Sequence, residues 1–132
     1  MTEALVATAH GVYAVDVEED VLVGTAPDAA LPPPRTDSPF PRTVAVDAHG
    51  SLVVAVVDRR PPLMVSRDAG ATWSEAGGGL PQGRAVAISP DHPDLVLYAA
   101  RNRLFVSRDG GRFWSALTVE LPEIDAVAWR DA

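Results

Sequence analysis

The chain has 132 residues, about the length of one domain, and 47% of them are hydrophobic and 22% charged, which argues against wholesale disorder. The formal net charge is −7 and cysteine is absent, which disfavours nucleic-acid and membrane partners, a disulfide framework and thiolate chemistry. We expect a cytoplasmic protein, because Met1-Thr2-Glu3 does not resemble a secretion signal and no apolar run approaches the roughly 20 residues that span a bilayer.

Short apolar segments follow one another along the chain, separated by turns rich in Gly, Pro and Asp. This spacing predicts an all-β protein made of short strands. The segments group into units of four strands, and the first unit, residues 4–23, lacks its first strand. The second unit covers residues 43–76 and the third covers residues 84–117, while residues 124–130 align with the first strands of both. We therefore predict twelve strands in three units within one domain, with one unit split between the two ends of the chain.

A proline-rich stretch over residues 25–42 interrupts this pattern. It holds six of the twelve prolines of the chain, including Pro32-Pro33-Pro34. Such a composition predicts an extended, polyproline-like surface loop, which is a plausible accessory contact for a partner.

An eight-residue pattern, S-R-D-x-G-x-x-W, occurs twice with a spacing of 41 residues. We predict structural roles for its residues: the Asp accepts hydrogen bonds from backbone N–H groups of its own turn, the Gly adopts positive φ, and the Trp supplies buried area. The residues concerned are Ser66, Asp68, Gly70 and Trp73 in the first copy, and Ser107, Asp109, Gly111 and Trp114 in the second. Residues 16–20 of the first unit have neither the Gly nor the Trp, so their turn must be built differently.

These two patterns, the strand pairs before them and the turn at Pro90 to Pro93 resemble the BNR or Asp-box repeat over roughly residues 4–130. The repeat occurs in sialidases, xyloglucanase-type glycoside hydrolases, sortilin-type receptors and photosystem II assembly factors. The resemblance implies a β-propeller, in which four-stranded antiparallel blades surround a central channel.

Three blades are fewer than the roughly four to eight that close a propeller ring. An open stack would expose apolar faces and strand edges. We therefore expect a homodimer in which two chains form one six-bladed ring with two-fold symmetry. Residues 124–130 would then complete the sheet begun by residues 5–9 of the other chain, in a strand exchange. The alternative is a piece of a longer propeller or an open array.

Propellers usually bind ligands on the end that carries the connections from strand two to strand three and from one blade to the next, which is an analogy at the level of fold. Arginines on these connections would hold a carboxylate or phosphate, from a small anion or a protein partner, through forked hydrogen bonds. They are Arg42, Arg59, Arg60, Arg84, Arg101 and Arg103. The alternative is that they are solvated and paired with Asp58, Glu120 and Glu123.

Other chemistry-bearing residues have structural interpretations. The segment Asp91-His92-Pro93-Asp94 holds two carboxylates and a histidine, but the prolines around it favour an ordinary turn over a metal site. We predict no metal and no cofactor. Tyr13 and Tyr98 lie at apolar strand positions and are predicted to belong to the core.

We predict a non-catalytic, self-assembling binding or scaffolding module. The first alternative is a glycoside hydrolase of sialidase or xyloglucanase type, so the question of an enzyme stays open. Such enzymes need two carboxyl groups about 5–10 Å apart, and no spacing rule marks Glu120, Glu123 or Asp125 as that pair. The second alternative, implied by the resemblance, is a protein-assembly factor.

Overall fold

The computed structural model describes residues 2–130, which form twelve short strands. The strands are β1 (Glu3–Thr8), β2 (Gly11–Asp16), β3 (Val21–Thr25), β4 (Thr43–His49), β5 (Leu52–Val57), β6 (Leu63–Ser66), β7 (Ser74–Ala76), β8 (Ala85–Ile88), β9 (Val96–Ala99), β10 (Leu104–Ser107), β11 (Ser115–Ala116) and β12 (Ile124–Arg130). Residues 2–130 contain no helix, and therefore none of the length and apolarity that a membrane span requires.

The strands make three four-stranded antiparallel sheets. Sheet 1 has the order β12-β1-β2-β3, sheet 2 the order β4-β5-β6-β7, and sheet 3 the order β8-β9-β10-β11. The predicted all-β architecture in three four-stranded units is confirmed, and it is consistent with three propeller blades.

Sheet 1 is built from both ends of the same chain. Strand β12 pairs antiparallel with β1, from Glu3 opposite Arg130 to Thr8 opposite Ile124. The prediction of a strand exchange, in which residues 124–130 complete a sheet of another chain, is corrected here because β1 of the same chain takes that strand. Pairing within one chain avoids the loss of translational and rotational freedom that association with a second chain costs.

Sheet 3 lies between sheets 1 and 2. Its strand β8 packs against β12 of sheet 1 on one side and against β4 of sheet 2 on the other. One core fills the space between sheets 1 and 3 and includes Val6, Val15 and Leu97. A second core, with Val54 and Leu63, lies between sheets 2 and 3. Sheets 1 and 2 are therefore joined through sheet 3, and the three form an arc.

Tyr98 is the largest fully buried side chain and confirms the predicted core position. Its hydroxyl donates to the carbonyl oxygen of Pro81 at 2.6 Å. A Cβ placed on Gly83 would lie 2.3 Å from the Tyr98 ring, so no larger residue fits there without movement. Burial raises the pKa of the Tyr98 hydroxyl, which therefore stays protonated. Tyr13 is half-buried against the core between sheets 1 and 3.

The proline-rich segment runs from sheet 1 to sheet 2 across the open side of the arc. It begins where Ala26 N donates to Val12 O at 2.8 Å. Val46 N of β4 donates to Arg35 O, also at 2.8 Å, and forms an isolated bridge. Phe40 then packs edge-on against Trp73, with the ring centroids 5.0 Å apart. The three consecutive prolines are exposed, as predicted for a surface loop, but both ends of the segment are anchored.

Candidate functional site

All six predicted arginines lie at one end of the three sheets, which we call the arginine face. This end carries the β1–β2, β5–β6 and β9–β10 connections and the starts of β4, β8 and β12. The structure divides the arginines into two groups, which differ in whether glutamates neutralise them.

Three of the arginines form ion pairs with the segment that leads into β12. Glu123 accepts a hydrogen bond from Arg84 at 2.9 Å and lies 3.4 Å from Arg101. Arg103 lies 3.4 Å from Glu120. These are exposed pairs, each worth about 0–1 kcal/mol. Glutamates of the same chain therefore neutralise these three arginines. This is the alternative given in the sequence analysis, in which the arginines pair with residues that include Glu120 and Glu123.

The other group lies beside sheet 2, where a cavity of about 190 Å³ is lined by Phe40, Pro41, Arg42, Asp58 and Arg59. We call it the Arg42–Arg59 pocket. The Arg59 guanidinium carbon lies 6.0 Å from the centroid of the Phe40 ring, in the range of a cation–π contact. Asp58 N donates to Arg42 O at 3.0 Å, which holds the two walls of the pocket together.

The arginines of this group are weakly neutralised. Arg59 Nη2 contacts the sulfur of Met64 at 2.8 Å and lies 3.9 Å from Glu75 Oε2, the long end of the ion-pair range. Neither Arg42 nor Arg60 forms an ion pair with any carboxylate of residues 2–130. Because guanidinium groups bind carboxylates and phosphates through paired hydrogen bonds, this pocket has the chemistry to hold a small anionic group.

A second cavity, of about 240 Å³, lies between β4, β8 and β12 and is bounded on its open side by residues 32–35. Its walls are mainly apolar, and its two charged residues are engaged. Arg35 donates to Asp37 at 2.7 Å, and Asp47 accepts a hydrogen bond from Ile88 N, also at 2.7 Å. Small residues recur in the strands that line this cavity, as Ala85 and Ala87 do in β8. This is the sequence signal for the cavity, because small side chains leave the space between the strands unfilled.

The two copies of the S-R-D-x-G-x-x-W pattern, which we call the first and second box, form the β6–β7 and β10–β11 turns at the opposite end of the sheets, which we call the box face. In the first box, Asp68 accepts hydrogen bonds from the hydroxyl and the backbone N–H of Thr72 and from the Ser66 hydroxyl. These bonds, with the Thr72 hydroxyl first among them, lower the pKa of Asp68 to about 2. The indole of Trp73 donates to Gly70 O at 3.1 Å and closes the turn.

The second box repeats this geometry without the threonine. Asp109 accepts hydrogen bonds from the backbone N–H groups of Phe113 and Arg112 and from the Ser107 hydroxyl. The backbone bond from Phe113 is the main cause that lowers the pKa of Asp109. Gly111, at φ 95°, occupies the left-handed region that favours glycine. The box residues therefore stabilise the turns through their own hydrogen bonds.

The turn of the first unit is built differently, as its sequence required. Asp16 Oδ1 accepts hydrogen bonds from the backbone N–H groups of Glu18 and Glu19, at 3.0 and 3.1 Å. The carboxylate of Asp20 accepts a hydrogen bond from Thr118 N, which links this turn to sheet 3.

The segment with a histidine between carboxylates is a turn. His92 N donates to the Ser89 hydroxyl oxygen at 3.2 Å, and Leu95 N donates to His92 O at 2.8 Å. Over residues 2–130, no three His, Asp or Glu side chains come together in a group that could hold a metal ion.

Comparison with protein-family models gave no match, and comparison with curated proteins gave none either. Among solved structures, the chain is similar to the crystal structure of the Niastella koreensis GH74 enzyme, with 22% sequence identity and a TM-score of 0.47. The similarity covers 91% of this chain but only 18% of that enzyme, so this chain corresponds to less than a fifth of it.

Proposed function

We propose that this protein is a non-catalytic binding module of the β-propeller type, and that it holds a small anionic group in the Arg42–Arg59 pocket. The observation that carries the proposal is the placement of two exposed arginines on one cavity whose wall includes the Phe40 ring. A cavity of about 190 Å³ suits a single carboxylate or phosphoryl group better than a whole sugar chain.

The distribution of carboxylates supports binding over hydrolysis. A glycoside hydrolase needs two carboxyl groups about 5–10 Å apart on either side of the scissile bond. Glu120 and Glu123 on the arginine face are ion-paired with arginines, and the Arg42–Arg59 pocket is lined by one carboxylate, that of Asp58. Release of product from aryl glycosides by the purified protein would favour the hydrolase instead.

The Asp-box assignment is part of this proposal. In both boxes the serine hydroxyl donates to the Asp carboxylate and accepts from the glycine N–H, and the tryptophan indole donates to the glycine carbonyl. The same network at two places, joined to four-stranded antiparallel sheets, is the support for a repeat of this type.

Self-association is proposed in a form that needs no strand exchange. Strands β4 and β12 both pack on β8 but do not contact each other, and the gap between them is crossed by the proline-rich segment. Two such arcs meeting flank to flank would form a six-bladed ring, with each sheet 1 completed by its own β12. Light scattering is expected to give twice 13.9 kDa; a stable mass of 13.9 kDa would refute the ring.

Binding at the Arg42–Arg59 pocket is testable with inorganic phosphate and acetate as probes. We expect the NMR amide signals of residues 40–42 and 58–60 to shift on titration. In Arg42→Gln or Arg59→Gln we expect the affinity to fall about tenfold, which is a loss of about 1.4 kcal/mol of binding free energy. Arg103→Gln is the matched control, because Arg103 is on the same face but already bound to Glu120. Equal affinity in all three variants, or no shift in the wild type, would overturn the proposal.

A further inference from the structure

The turn of the second box exposes an aromatic ring that the turn itself does not need. Phe113 is 79% exposed, the highest value among the large apolar side chains of residues 2–130. In the first box the same position is Thr72, whose hydroxyl donates to Asp68 at 2.5 Å. Phe113 supports its turn through its backbone N–H alone, so its ring is free to contact another molecule.

Two guanidinium groups meet at Gly110, in the same turn as Phe113. Arg67 reaches across from the first box and donates to Gly110 O at 3.0 Å, and Arg112 donates to Asp109 O at 2.9 Å. A Cβ built on Gly110 would lie 2.9 Å from Arg67 Nη1 and 3.8 Å from Arg112 Nη1. The two positive groups therefore converge on one point while their hydrogen bonds go to backbone carbonyls. Neither forms an ion pair with a carboxylate in the part of the chain that the structure describes.

Two carboxylates, those of Asp109 and Asp94, lie near this point and offset part of its positive charge. Asp109 turns its carboxylate into the box, where Ser107, Arg112 and Phe113 bind it. Asp94 Oδ1 lies 3.7 Å from the same Cβ position but outside ion-pair distance of Arg67, so it offsets part of the positive charge. Burial is the main cause that lowers the pKa of Arg67; the charge of Arg112 lowers it further, and the charges of Asp109 and Asp94 oppose the shift.

We infer that Arg67, Arg112 and Phe113, which we call the Phe113 patch, dock an acidic segment of another protein. One carboxylate of that segment binds between the two guanidinium groups, and a neighbouring apolar side chain packs on the exposed ring. Aromatic residues and arginine are the residues that most often dominate binding energy in protein interfaces. On a protein of net charge −7, a local positive patch also helps to set the position of an acidic partner.

The Phe113 patch lies on the box face, at the opposite end of the sheets from the Arg42–Arg59 pocket. The test of this inference is therefore independent of the test of the proposed anion site. A second copy of this chain is the competing occupant, since the turn at Glu18–Asp20 is acidic. It is disfavoured because Glu18 already lies 3.8 Å from Arg108 and Asp20 binds Thr118 N.

The test is titration of the full chain with a peptide of alternating glutamate and leucine residues, followed by the amide shifts of residues 109–113. We expect binding to the wild type and affinity about tenfold lower in Phe113→Thr and in Arg112→Gln. Phe113→Thr places the residue of the first box in the second, so the fold should survive, and thermal unfolding checks this. Arg108→Gln is the matched control, because Arg108 belongs to the same box but its guanidinium lies beside Glu18, at 3.8 Å.

Three results would overturn the inference. The first is equal binding of a peptide of alternating lysine and leucine, and the second is unchanged affinity in both Phe113→Thr and Arg112→Gln. The third is a change of the same amide shifts with protein concentration when no peptide is present, which would assign the Phe113 patch to self-association. If Phe113→Thr fails to fold, the charge reversal Arg112→Glu provides the same comparison on the surface of the turn.

Discussion

The indole nitrogen of Trp129 donates a hydrogen bond to the carbonyl oxygen of Ala87 at 2.9 Å. The bond joins β12, which completes sheet 1 from the end of the chain, to the inner strand of sheet 3. On the other side of the same strand, Asp47 Oδ2 of sheet 2 accepts a hydrogen bond from Ile88 N at 2.7 Å. One carbonyl and one N–H group of β8 are thus hydrogen-bonded to side chains of the two neighbouring sheets.

Replacement of Trp129 by phenylalanine keeps an aromatic ring but removes the donor to Ala87 O. We expect the free energy of unfolding to fall by about 0.5–1.5 kcal/mol, because the hydrogen bond from the indole to Ala87 O is lost. Urea denaturation of the variant measures this. An unchanged midpoint and slope would show that the bond does not hold sheets 1 and 3 together.

Asp47→Ala removes the acceptor of Ile88 N and should cost about 1–3 kcal/mol, the penalty of an unsatisfied buried donor. Asp47→Asn is the matched control, because its amide oxygen can still accept the same hydrogen bond. We expect the asparagine variant to retain most of the stability in the same denaturation experiment. Equal losses in both variants would mean that the negative charge, and not the hydrogen bond, is what matters.

Gly83→Ala should destabilise the protein by about 1–3 kcal/mol or more, because the added methyl group overlaps the buried Tyr98 ring at 2.3 Å. Gly78→Ala is the control, since a Cβ at that position meets nothing within 4 Å and its φ is not in the left-handed region. Differential scanning fluorimetry is expected to show a clear loss of thermal stability for the first variant alone. Similar melting temperatures for both would contradict the packing described here.

The first box makes the stability of the protein depend on pH. The folded protein holds the pKa of Asp68 at about 2, below its ordinary value of 3.8, so the box contributes fully above about pH 4. That contribution is lost as the pH falls through the folded pKa, and acid therefore destabilises the protein between about pH 4 and pH 2. Thr72→Val removes the hydroxyl that lowers this pKa most.

The measurement is the melting temperature of wild type, Thr72→Val and Asp68→Asn between pH 7 and pH 2. We expect both variants to melt lower at pH 7 and to lose less stability on acidification than the wild type. Parallel curves for all three proteins would show that the Asp68 carboxylate does not contribute to stability through its ionised form.

Sequence patterns predicted the local structure well. The side-chain hydrogen bonds of the Ser, Asp and Trp residues in each box join residues at most four positions apart, as between Asp68 and Thr72, so the residue pattern contains the information for this part of the turn. Each box also has a backbone hydrogen bond to a more distant residue, from Ala69 N to Ser51 O and from Gly110 N to Asp94 O. The different turn at Asp16 was also predictable, because its sequence lacks the glycine and tryptophan. The twelve strands and their grouping follow from the same short-range signals.

The candidate site was predicted only in part. The order of strands and connections placed all six arginines on one face, but it did not indicate which of them a glutamate would neutralise. Arg84 and Glu123 are 39 positions apart, and their 2.9 Å contact depends on how sheet 3 meets the segment before β12. The exposed ring of Phe113 was likewise not singled out, because exposure is a property of the packed molecule.

The amino-acid sequence alone determined the strands, the box turns and the place of residues 124–130 as the missing first strand of a unit. It did not determine which chain that strand would join, since the same apolar pattern suits the edge of β1 in its own chain or in another. Tertiary structure decided this by bringing β12 beside β8, with Trp129 bonded to Ala87 O, where the free edge of its own β1 lies within reach. Contacts between residues far apart in the sequence depend on how whole sheets pack. A pattern over a few consecutive residues does not specify that packing.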